Sequence, residues 1–158
     1  MAVQIPLTRI TSELFNLFDE TFNQVQGIYL DKGTSLFETL ATISAEEASH
    51  PVGVSCATIA AQVEHIRFYL DVLEGYMINQ PPAKVDWGEI WRTVSEVTPE
   101  AWEASQAQLR ASVERILAYM QQNETWAGEE DISAPLAILI HTAYHLGEIR
   151  QALCIVRA

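Results

Sequence analysis

The sequence has little cysteine and little positive charge, and each shortage narrows the possible functions. Two cysteines among 158 residues cannot form the disulfide framework of a small secreted protein, so a reducing, cytoplasmic location is expected. Nine Lys and Arg residues stand against 21 Asp and Glu residues, which gives a formal net charge of −12. Because a chain of this charge repels a phosphate backbone, nucleic acid is not an expected partner.

Long apolar runs are also missing. No stretch reaches the roughly 18 uncharged apolar residues that a membrane span requires. The N-terminal segment has neither the basic part nor the apolar part of a secretory signal. We therefore expect no membrane partner. Apolar residues still make up 49% of the sequence, which is enough for a core, and the length fits a single domain over residues 1–158.

Apolar residues recur at helical spacing in four long segments. The predicted helices run from about Leu7 to Ile28, from about Cys56 to Met77, from Pro99 to about Met120, and from near Ser133–Pro135 almost to the C-terminus. Thr98 before Pro99 is a typical N-cap followed by proline at the first helical position. No segment shows sustained strand alternation. The sequence therefore predicts an all-α fold, a four-helix bundle.

The connection between the first two predicted helices is long and contains helix-start signals of its own. Ser35 with Glu38, and Ser44 with Glu47, have the spacing of capping boxes. We therefore expect one or two short helices within this crossover. The link before the third long helix is broken by prolines and a glycine.

Three histidines are predicted to face the interior. In the second long helix the charged side chains gather on one face, and His65 lies roughly 140° away from its centre. In the fourth, His141 and His145 are four residues apart and lie about 150° from the face marked by the arginines. Glu148 falls on the same arc as His141.

Two explanations of inward histidines remain open at this point. Each could be a core histidine that is satisfied by a hydrogen bond. Alternatively, the three could bind one divalent metal, because the i, i+4 spacing places two rings on adjacent turns and a facing helix supplies the third. Neutral imidazole is a good ligand for Zn, Ni, Fe or Cu, and burying polar groups without partners costs a few kcal/mol each.

The other candidate residues indicate less. His50, in a Ser-His-Pro loop, is expected to face solvent, and Cys56 and Cys154 fall on other faces than the histidines. No Ser and Asp arrangement with His suggests a hydrolase triad. The tryptophans of the third quarter of the chain either pack one end of the bundle or form one wall of a pocket; they are Trp87, Trp91 and Trp102.

The segments IAAQVEHIRFYLDVL and HTAYHLGEIRQAL resemble the DinB/YfiT-like superfamily of bacterial four-helix bundles. The resemblance extends over essentially the whole chain, including the long first crossover and the segment DWGEIW. It implies a metal site made of His65, His141 and His145, with Zn or Ni as the expected ion. This sequence departs from the superfamily at Gly147–Glu148, where such proteins often have Gly-Gln.

The resemblance also implies a function. Members with a known activity are similar to thiol-dependent transferases or isomerases, so a small-molecule substrate and a low-molecular-weight thiol are the expected partners. Glu148 would then act as a catalytic base or would orient a histidine. The alternative is a non-catalytic stress-response or ligand-binding bundle, with a structural metal or none, in which Glu148 could close the site as a fourth ligand. The high apolar content, together with the apolar stripes on the first and third predicted long helices, further predicts a homodimer.

Overall fold

The computed structural model describes residues 4–53 and 56–158, and every regular element in these ranges is a helix. The seven helices are α1 (Leu7–Phe22), α2 (Leu36–Leu40), α3 (Ala45–Ser49), α4 (Ile59–Met77), α5 (Glu89–Thr93), α6 (Pro99–Gln122) and α7 (Glu130–Val156). The all-α prediction is therefore confirmed for the described residues. The chain divides into two compact units, one up to Ala41 and one from Thr42 onward. The four-helix bundle and the single domain stay predictions.

In the first unit, α1 ends six residues before the predicted boundary. Its buried residue Glu20 turns a carboxylate towards the following loop and accepts hydrogen bonds of 2.6–3.0 Å from four backbone amides. Those amides belong to Gln26, Ile28, Tyr29 and Leu30. Burial raises the pKa of Glu20, but the four amides outweigh it and lower that pKa to about 2. In a longer helix these amides would donate to helix carbonyls. Here all four donate to the Glu20 side chain instead.

In the second unit, α4 is the central helix and packs against both α6 and α7. The core of this unit consists of aliphatic side chains of these helices, among them Ile59, Val63, Ile66, Leu70, Leu109, Ile116, Ile138 and Ile149. The short helices α3 and α5 also pack against α4. Trp102 is buried, and its indole Nε1–H donates to the carbonyl of Ile43 at 2.8 Å. The tryptophans were expected either to pack or to form a pocket wall, and Trp102 packs.

Local capping explains where the helices begin. Both predicted capping boxes are present, at Ser35 with Glu38 and at Ser44 with Glu47, and they start α2 and α3. Thr98 caps α6 with Pro99 at its first position, as predicted. Helix α4 begins three residues later than expected, because the Thr58 side chain accepts from an amide of its first turn.

Helix α7 begins earlier than the predicted Ser133–Pro135. Asp131, in its first turn, is buried and accepts from the backbone N–H of Gly128 at 2.7 Å, which fixes the chain that enters the helix. None of the described helices combines the length and the apolar character needed to cross a bilayer.

The charged face of α4 contacts α6 and is not only exposed to solvent, as its sequence suggests. Arg67 pairs with Glu64 and Asp71 along the helix, and Arg115 of α6 pairs with Asp71 and Glu74 at 2.8 Å. This face therefore connects α4 to α6, and its side chains are half-buried. His65 lies on the other side of α4, as predicted, and this directs it towards α7.

Candidate metal centre

The three predicted histidines converge. His65 of α4 and His141 and His145 of α7 each place one ring nitrogen so that all three nitrogens lie within 4.8 Å of one another. The ring centroids are 4.5 to 5.1 Å apart. Metal–nitrogen bonds of about 2.0–2.1 Å put ligand nitrogens roughly 3–4 Å apart. The limit of 4.8 Å is slightly wider than this spacing, so a single divalent ion would draw the three rings slightly closer together. His50 is exposed and takes no part.

The helices explain this convergence. On α7 the i, i+4 spacing stacks His141 and His145 on successive turns of one face. That face turns towards α4, where His65 occupies the side opposite the ion pairs with α6. His65 and His145 are buried, and His141 is half-buried.

Burial also sets the protonation of the rings. Burial, reinforced by the neighbouring imidazoles, lowers the pKa of His65 and of His141 to about 4. Burial lowers the pKa of His145 as well, although the Glu148 carboxylate opposes this shift. All three rings are therefore neutral near pH 7, which is the form of imidazole that binds metals.

Two ring nitrogens have no partner within the described part of the chain. His65 Nδ1 and His141 Nε2 are buried and form no hydrogen bond with a described residue. A buried polar atom that is left unsatisfied costs about 1–3 kcal/mol. No described residue therefore supplies the hydrogen bond that the core-histidine explanation requires for these two atoms. A divalent ion would use their lone pairs, so the donor set fits a metal.

The third ring is held differently. His145 Nδ1 lies 2.9 Å from Glu148 Oε2 and 2.5 Å from Gln62 Oε1. Because both partners are acceptors, Nδ1 carries the proton and donates it, which leaves the lone pair on Nε2. A carboxylate that holds the far N–H of a ligating histidine fixes its tautomer and raises its basicity.

Glu148 is thus placed to orient His145. Burial raises the pKa of Glu148, but hydrogen bonds from Tyr144 and Gln62, together with His145, outweigh it, so the net pKa is below its usual range. The hydrogen bond with Glu148 raises the pKa of the Tyr144 phenol. Glu148 is not among the groups that converge with the three ring nitrogens, so the described geometry does not favour its role as a fourth ligand.

Aromatic rings fix the imidazole planes. Tyr69 stacks on His141 with centroids 3.7 Å apart and an interplanar angle of 14°. Trp91 covers His65 at a centroid distance of 4.3 Å. Trp87 packs behind them, against Tyr69 at 5.7 Å. These contacts restrict the rotation of the rings, so the cluster is preorganised for a ligand.

A pocket of about 680 Å³ opens beside the cluster. His145 connects the two, since it belongs to the cluster and also lines the pocket. Trp91 forms part of the pocket wall, which is the other role expected for the tryptophans. Cys56 was expected to lie away from the histidines, but it also lines this pocket, because it precedes α4 instead of belonging to it. Its thiol is free.

Three residues at the site were not predicted from the sequence pattern, namely Gln62, Tyr69 and Tyr144. A helical signal for the first two was nevertheless available. Gln62 precedes His65 by three residues and Tyr69 follows it by four, so both share its face of α4. No such rule identifies the partner of the Gln62 side chain on the other helix.

Comparisons with protein-family models, with curated proteins and with solved structures found no match for this chain.

Proposed function

We propose that this protein is a DinB/YfiT-like, cytoplasmic metal-dependent enzyme that joins a low-molecular-weight thiol to a small electrophilic substrate. The observation that carries the proposal is the convergence of three neutral imidazoles, two of them with unpartnered buried nitrogens. His65, His141 and His145 would hold the ion, with Zn or Ni as the expected metal. A divalent ion held by three neutral ligands keeps its positive charge and lowers the pKa of a bound thiol or water.

The chain's own residues support this chemistry in three ways. Glu148 and Gln62 hold the Nδ1–H of His145, which keeps the Nε2 lone pair directed away from them. The pocket beside His145 gives a small molecule access to the cluster. The proton that a thiol releases needs an acceptor, and Glu148 is the ionised carboxylate that lines this pocket. A catalytic base is therefore a second role for Glu148.

A direct test compares metal-loaded and metal-stripped protein in the reaction of small thiols with an electrophile. We expect thiol adducts only with metal-loaded protein, and none with His65→Ala. His50→Ala is the matched control, because His50 is exposed and outside the cluster. Equal rates with and without metal would contradict the proposed mechanism and favour the non-catalytic alternative.

We also propose that two copies associate through α7. Its exposed large apolar side chains are spaced by four residues, at Ile132, Leu136, Ile140 and Tyr144. No charged residue occurs between Ile132 and Gly147, whereas the chain as a whole carries a net charge of −12. An uncharged apolar face is where two such acidic chains can meet without repulsion.

A further inference from the structure

The walls of the pocket beside the histidines differ from those of a site that binds anions. Val52, Trp91, Ala152 and Ile155 give it an apolar lining. Among the described residues that line it there is no lysine and no arginine, and the single charged side chain is Glu148. Proteins bind carboxylates and phosphates with arginine, lysine or open backbone amides, and the first two are missing from this wall.

The start of α4 does not offer open backbone amides to the described part of this wall either. The helix end nearest this wall is the start of α4, which follows Cys56 and Ala57. Its N-cap Thr58 already accepts from the amide of Ala61. The first two helical residues, Ile59 and Ala60, are buried and do not line the pocket. This helix end therefore does not provide the missing positive charge.

Gly147 adds room where the pocket meets α7. A Cβ atom added at Gly147 would have no heavy atom within 4 Å, so the chain's own packing does not require glycine there. Glycine inside a helix costs roughly 0.5–1 kcal/mol relative to alanine. Because Gly147 lines the pocket, the space it leaves extends the volume available to a ligand beside the helix backbone.

We propose that this pocket selects thiols and electrophiles that carry no negative charge apart from the atom that reaches the metal, and that Trp91, Val52 and Ile155 hold their apolar part. The inference rests on the proposed function, because it concerns the substrate of the same site. A second anionic group in the pocket would lie close to the Glu148 carboxylate with no cation to balance it. At an effective dielectric constant of about 20, like charges several ångströms apart weaken binding by roughly tenfold or more.

The test uses two thiols of similar size, 3-mercaptopropionate and its methyl ester, with protein loaded with Co²⁺ under anaerobic conditions. Binding is followed by the charge-transfer absorption that a thiolate ligand gives to Co²⁺. The ratio of the two dissociation constants is measured for the wild type and for Ile155→Lys, which adds a cation to the pocket wall. The ratio for Ile155→Lys is then divided by the ratio for the wild type. Because the difference in acidity between the two thiols enters both ratios equally, it cancels.

We expect the preference for the ester to fall roughly tenfold in Ile155→Lys. Gln151→Lys adds a cation at another position of the same wall and should have the same effect. Gln121→Lys is the control for the added charge, since Gln121 of α6 is exposed, does not line the pocket and lies outside the proposed dimer face; its ratio should equal that of the wild type. An unchanged ratio in both pocket variants would overturn the charge selection while leaving the proposed function intact. Absence of the thiolate absorption with either thiol would instead overturn the proposed function.

Discussion

His141→Phe should leave the stability of the metal-free protein close to that of the wild type and should remove most of the stabilisation that a bound metal provides. The phenyl ring keeps the stack on Tyr69, whose centroid lies 3.7 Å from that of His141. It also removes His141 Nε2, one of the two buried nitrogens without a partner. Because such an atom costs about 1–3 kcal/mol, and because a larger ring in a packed site costs a similar amount, the two effects offset each other and the metal-free variant should be within about 2 kcal/mol of the wild type.

The metal should stabilise the wild type far more than His141→Phe. A ligand that binds the folded state alone stabilises it by about 2.7 kcal/mol at a concentration 100 times its Kd. For a chain of this size that corresponds to a rise in Tm of roughly 5–11 °C, at about 2–4 °C per kcal/mol. His141→Phe lacks one of three ligands, so its Tm should rise by much less at the same concentration of Zn²⁺ or Ni²⁺.

The assay is thermal unfolding followed by circular dichroism, with and without added metal, for the wild type, His141→Phe and His50→Ala. The His50 variant should behave like the wild type in both conditions. The reasoning would be refuted in either of two ways. His141→Phe could keep the full metal-induced rise in Tm, which would remove His141 from the ligand set. Alternatively, the metal-free variant could lose more than about 3 kcal/mol, which would mean that the imidazole is needed for folding itself.

Four further predictions concern pH, two buried contacts and self-association. The metal-free protein should lose stability as pH falls from about 6.5 to about 4: the pKa values of His65 and His141 are about 4 in the folded state against about 6.5 when unfolded, so protons bind the unfolded chain first over this range. Urea midpoints at pH 7, 5.5 and 4 measure this loss, and a flat profile would contradict it. Glu20→Gln should remove hydrogen-exchange protection from the amides of the loop after α1, because a neutral amide is a weaker acceptor than the carboxylate; unchanged protection would show that the loop does not depend on this charge. Trp102→Phe removes a buried hydrogen bond of 2.8 Å and should lower the free energy of unfolding by about 1–3 kcal/mol in urea titrations, whereas no change would mean that the carbonyl finds another donor. Ile140→Glu should convert the proposed dimer to a species near the chain mass of 17.7 kDa in sedimentation experiments; a wild type that sediments at that mass throughout the micromolar range would exclude the dimer.

Most of the helical structure could be predicted from the sequence because it depends on neighbours within four residues. The capping boxes at Ser35 and Ser44 and the Thr98–Pro99 start of α6 are local in this sense, and all three are present. The end of α1 could not be predicted in the same way. It depends on Glu20 meeting amides six to ten residues further along the chain, a distance at which helical spacing gives no information.

The same distinction applies to the candidate site. The sequence alone determined that His141 and His145 share one face of a helix, and that His65 lies opposite the charged side of another, because an α-helix turns by a fixed angle per residue. Which nitrogen of His65 and of His141 lacks a partner among the described residues was decided by the tertiary structure. So was the meeting of Gln62 of α4 with His145 of α7 at 2.5 Å, because that contact joins residues 83 positions apart. Such contacts depend on how α4 and α7 pack, and helical periodicity fixes the directions of side chains but not the distance between two helices.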